Sequence, residues 1–120
     1  MTAKTKPRPP APSEASILKS CLAILQAHGV FCWRQNTGAF SGTHNGKRRF
    51  VRFGVPGISD ILGAWPDGRL LAVEIKCPGN RPTAAQEAFM RAVNDRGGFA
   101  FWVDGTEGLM NVLRDMGLAK

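Results

Sequence analysis

The sequence has no tyrosine and only three cysteines, Cys21, Cys32 and Cys77. The cysteines are widely spaced and form no CxxC pair, and His28 and His44 stand alone. A structural zinc site is therefore excluded, and the thiols are expected to be reduced. No stretch approaches the roughly 18 consecutive apolar residues that a membrane span requires. No apolar run follows the basic start either, so a soluble, cytoplasmic protein is expected. Acids are scarce: 9 Asp and Glu stand against 16 Lys and Arg, for a net charge of +7. A surplus of that size favours polyanionic partners, nucleic acid first, although it also suits a basic protein that binds nothing in particular. The 120 residues, 43% of them hydrophobic, can bury one modest core, so a single domain is expected over residues 13–120.

Residues Met1 to Pro12 carry Pro7, Pro9, Pro10 and Pro12 among Lys4, Lys6 and Arg8. Such a segment can neither continue a helix nor bury apolar area, and it is expected to be a disordered basic arm. Ser13 then offers an N-cap. Ile17, Leu18, Cys21, Leu22 and Leu25 recur at helical spacing up to Gly29, which predicts a helix from about Glu14 to His28. Glu14 shares the apolar face of that helix. It is either a first-turn acid favoured by the helix dipole or a functional carboxylate.

Val30 to Gln35 reads as a strand, Asn36 to Gly46 as a loop, and Lys47 to Phe53 as an exposed basic strand. Ile58 to Trp65 and Arg69 to Cys77 are apolar runs joined by Pro66-Asp67-Gly68, a turn sequence that predicts a hairpin. Thr83 caps a second helix with Ala85, Ala88, Phe89, Ala92 and Val93 as its apolar stripe. Phe99 to Val103 follows as a short strand and Gly105 to Met116 as a terminal helix. The fold class is α/β, with a central mixed sheet holding the hairpin and helices packed on it.

The hairpin carries the chemistry. If it closes symmetrically on its turn, Trp65 faces Arg69, and counting back sets Asp60 opposite Glu74 with both side chains on one face. Lys76 shares that face, while Leu71, Val73 and Ile75 point the other way into a core. A Glu-x-Lys pair alone often marks a solvated strand face. Two opposed carboxylates inside a run rich in Ile, Leu, Val and Ala are different, because such a pair repels unless a cation or a proton lies between. Mg²⁺ prefers oxygen ligands and is typically held by one or two carboxylates plus a substrate phosphate. Lys76 beside it is suited to orient the attacking water and to offset charge on phosphate oxygens.

These residues resemble the VRR-NUC branch of the PD-(D/E)xK nuclease superfamily, from about Glu14 to Val103. The likeness is strongest over Gly54-Val55-Pro56-Gly57-Ile58-Ser59-Asp60-Ile61-Leu62, Ala72-Val73-Glu74-Ile75-Lys76 and Pro82-Thr83-Ala84-Ala85-Gln86. It implies a restriction-endonuclease-like core with Asp60, Glu74 and Glu14 as metal ligands. It also implies Lys76 assisting the attacking water and Gln86 supporting the site. Gln86 has a structural alternative, since Thr83-Ala84-Ala85-Gln86 has the form of a capping box. The Pro-Asp dipeptide of the superfamily name is absent before Asp60; Pro66-Asp67 occupies the turn instead.

The resemblance further implies a Mg²⁺-dependent endonuclease, with Mn²⁺ as substitute, acting on DNA such as a four-way junction and working as a homodimer. Arg34, Lys47, Arg48, Arg49 and Arg52 form the expected phosphate-contacting surface. The rival reading is a non-catalytic nucleic-acid-binding protein with the same fold.

Overall fold

The computed structural model describes residues 11–35 and 54–120 in full, and 39–44 and 47–52 as backbone. The basic arm, up to residue 10, lies outside the described residues. Helix α1 (Glu14–Ala27) begins at Ser13, whose hydroxyl accepts from the Ser16 amide at 3.1 Å. It ends just before Gly29, which takes φ +80°. Strands β1 (Phe31–Arg34), β2 (Ala39–His44), β3 (Lys47–Arg52), β4 (Ile61–Ala64) and β5 (Leu70–Ile75) follow, then α2 (Ala84–Asp95), β6 (Phe99–Val103) and α3 (Thr106–Asp115).

The segment expected to be a loop contains β2, which pairs antiparallel with β3 from Ala39↔Arg52 to His44↔Lys47. Its Ala-Phe-Ser-Gly-Thr-His sequence has no apolar alternation to announce a strand. Side chains of both strands lie outside the described residues.

The four remaining strands form one mixed sheet in the order β1-β4-β5-β6, antiparallel except for the parallel β5·β6 pair. Its hairpin has the register counted from the turn, with Ile61 opposite Val73 and Ala64 opposite Leu70. The Trp65 amide donates to the Arg69 carbonyl at 2.8 Å. At the tip, Asp67 accepts from the Arg69 amide at 3.0 Å and pairs with its guanidinium at 2.7 Å. That Pro-Asp acid is a turn residue.

Alternation along β5 gives each face of the sheet its own layer. Leu71, Val73 and Ile75 pack with Ile17, Leu18, Cys21 and Leu25 of α1 and Leu109 and Leu113 of α3. Burial raises the Cys21 thiol to about 11 and the Cys32 thiol above its ordinary value, so neither is a ready nucleophile. On the opposite face Ala72 and Ala100 meet Met90 and Val93 of α2, with Leu62 and Phe89 beside them.

Of the expected apolar stripe of α2, Val93 and Phe89 pack on the sheet, but Ala85, Ala88 and Ala92 are exposed. The helix is turned so that Gln86, Met90 and Val93 look inward. Met90 offers far more apolar area than alanine, and Gln86 has a partner on the sheet. Among the described residues no helix is long and apolar enough to cross a membrane.

Candidate active site

Asp60 sits one residue before β4, where the chain leaves the ladder. Its carbonyl accepts from the Gln35 amide at 2.7 Å, which extends the β1·β4 pairing by one step. Its carboxylate takes over a backbone role on the other side, with Oδ2 accepting from the Ile75 amide at 2.8 Å. The side chain thus replaces a ladder acceptor and is fixed against β5.

Glu74 is only 1% exposed and lies on the α2 face. Its Oε1 accepts from Gln86 Nε2 at 3.0 Å and faces Lys76 Nζ at 4.0 Å. Its buried Oε2 meets no donor. The Glu74 carboxyl is pushed up to about 9, chiefly by burial. Asp60 adds to the shift by accepting a hydrogen bond from the protonated form and by its charge; Lys76 works against it, and Glu14 contributes slightly in the raising direction.

Gln86 both caps α2 and reaches Glu74. Its Oε1 accepts from the Thr83 amide at 2.8 Å while Thr83 Oγ1 accepts from the Gln86 amide at 3.2 Å, completing the capping box. The cap uses the amide oxygen and leaves the amide nitrogen for Glu74, so one side chain closes the helix start and orients an acid.

Gly57 locks the same region. It has φ +72°, and a Cβ there would overlap the Ala85 carbonyl. The turn leading to Asp60 therefore nests against the first turn of α2, which only glycine allows.

The structure brings Asp60, Glu74, Lys76 and Gln86 together on one face. Glu14, half-buried in the first turn of α1, lies close enough to add to the Glu74 potential. Among the described residues, however, no three His, Cys, Asp or Glu side chains gather into a ready-made metal cluster. Arg34 pairs with Ile61, so it points to the face opposite the acids. Side chains of Lys47, Arg48, Arg49 and Arg52 lie outside the described residues.

The donors fit a hard divalent cation. Asp60 and Glu74 offer adjacent carboxylates, and Glu74 Oε2 is a buried acceptor without a donor, an arrangement costly unless a proton or a cation meets it. Sequence reasoning missed Gln35, Gly57 and the Ile75 amide. Gln35 becomes a neighbour of Asp60 only through the non-local β1·β4 pairing, which no local pattern announces. Gly57 reads in sequence as one of two turn glycines.

Compared with known families, residues 12–107 match the VRR-NUC domain. No curated protein and no solved structure matches the chain.

Proposed function

The chain belongs to the VRR-NUC family, a nuclease-type family, and on that premise we propose that it is a divalent-metal-dependent endonuclease hydrolysing DNA phosphodiester bonds. The observation that carries the reading is the buried Oε2 of Glu74, beside Asp60 and without a donor. Asp60 and Glu74 would hold Mg²⁺, or Mn²⁺ in its place, with Glu14 as a third carboxylate. When bound, the ion supplies positive charge against the scissile phosphate and makes water easier to deprotonate.

The rest is the work of this chain's residues. Glu74 releases its proton to become a ligand, and Gln86 holds its Oε1 by donating to it. Ile75 fixes Asp60 through its amide. Lys76 positions the attacking water and offsets charge developing on the phosphate oxygens. Hydrolysis leaves a 5′-phosphate and a 3′-hydroxyl. Lys47, Arg48, Arg49 and Arg52 would hold the backbone without selecting sequence, whereas Arg34, on the face away from the acids, is not placed to reach the scissile phosphate. Branched DNA such as a four-way junction suits a homodimer with two such sites. Residues 13–120 act as one nuclease domain behind the basic arm, and the protein works in the cytoplasm.

The test is Mg²⁺ titration with labelled linear, flapped and four-way DNA. Cleavage that depends on metal and is lost in Glu74→Ala supports the nuclease. DNA that is shifted but uncut at every Mg²⁺ and Mn²⁺ concentration would instead establish the non-catalytic binding protein.

A further inference from the structure

Phe31 and Trp33 are alternate residues of β1, an outer strand of the sheet, yet they are 74% and 44% exposed. Their registers, Phe31 with Ala64 and Trp33 with Leu62, put both on the α2 face, the face of Glu74. The rings meet edge to face, with centroids 5.6 Å apart and planes at 68°. Trp33 Nε1 donates to Gln35 Oε1 at 3.3 Å, and the Gln35 amide donates to the Asp60 carbonyl. The polar edge of the indole is thus tied to the strand position opposite a catalytic acid.

Leu62, the register partner of Trp33, packs with Phe89 against the apolar cluster under α2.

We infer that Phe31 and Trp33 form a stacking platform for unpaired nucleobases of the DNA strand next to the scissile phosphate, making the enzyme selective for substrates with single-stranded arms. This rests on the nuclease reading, because it is the neighbouring Asp60 and Glu74 that give the strand its place. Flat π faces held by a hydrogen bond at the ring edge suit bases of any sequence, whereas the paired bases inside a duplex offer no free face. The net charge of +7 favours a polyanionic occupant. Position, ring chemistry and charge therefore agree on a nucleic-acid strand as occupant.

The experiment measures affinity of the full chain in EDTA for two labelled DNAs: a duplex with an unpaired arm and a fully paired duplex of the same length. Trp33→Ala is expected to weaken binding to the armed duplex by roughly 5- to 150-fold, the range of one base–aromatic stack. Phe31→Ala should weaken it less, and the paired duplex should change by less than about twofold, since base stacking contributes little there. Trp33→Phe should keep most of the affinity while losing part of the tryptophan quenching that armed DNA causes in the parent.

Equal weakening on both DNAs, or none on either, would overturn the platform. So would a dimer that Trp33→Ala converts to monomer in sedimentation, which would assign the face to a second copy. Mg²⁺-dependent cleavage by the parent is scored separately. If the parent cuts and Trp33→Ala binds both DNAs like the parent, the nuclease stands and the platform falls. If the parent never cuts yet the arm-specific loss is seen, the platform stands without the nuclease.

Discussion

The two faces of the central sheet are built from the same strands to opposite ends. On the α1 and α3 side, Leu71, Val73, Ile75, Leu25, Leu109 and Leu113 are all fully buried. On the α2 side, small Ala72 and Ala100 lie beside a buried acid, and Leu70, Trp102, Phe31 and Trp33 remain 39–74% exposed. Along β5 the sequence switches role at every residue. The closed face supplies the cohesion, mostly through apolar burial. That lets the open face keep a carboxyl whose burial is unfavourable, and the contrast teaches that the site is carried by stability built behind it.

The sharpest break in the comparison is in activity. Lys76→Met should lower cleavage by roughly 10²- to 10⁴-fold in a single-turnover assay while calorimetry still records metal binding and an unchanged fold, because Lys76 is not placed as a ligand. The closed face answers in stability instead. Leu71→Ala should cost about 2–5 kcal/mol in urea unfolding, and Leu62→Ala, half-buried on the open face, distinctly less.

The two acids should then part company in a chelator. Glu74→Gln is expected to unfold later than the parent. The folded parent holds a proton on Glu74 up to about 9, against an ordinary value of 4.5, and between those pH values the unfolded chain has released it. The Glu74 contribution is therefore complete below about pH 4.5 and lost as pH rises toward 9, a decline that melts of Glu74→Gln should not share. Asp60→Ala should instead lose about 1–3 kcal/mol by orphaning the Ile75 amide, and Asp60→Asn, which keeps an acceptor, should recover most of it.

The smallest effects belong to the cations. Charge reversal at Arg48, Arg49 or Arg52 should each flatten the salt dependence of DNA affinity by about one unit. Arg34→Glu, on the face away from the acids, should flatten it least.

Much of the site was legible because it is local. A hairpin with a short turn fixes its own register, so the nearness of Asp60 to Glu74 and the shared face of Lys76 follow from counting. The capping box was equally readable, being four consecutive residues. What escaped depends on distance in sequence or on rotation. Of the expected α2 stripe only Phe89 and Val93 face the sheet, because Met90 and the Gln86–Glu74 bond set the helix's orientation and leave the three alanines outside. β2 escaped because Ala-Phe-Ser-Gly-Thr-His carries no alternation, and the Asp60–Ile75 bond because it exists only where the strand departs from regular pairing.

The double duty of Gln86 bears on how the protein fails when heated. Helix ends open before the body of a fold, and the first turn of α2 is such an end, with Thr83 exposed. Because the amide that closes this turn also steers Glu74, fraying there releases the acid while the sheet behind it remains whole. The geometry of the candidate site is accordingly expected to be lost below the melting point of the domain and to return on cooling.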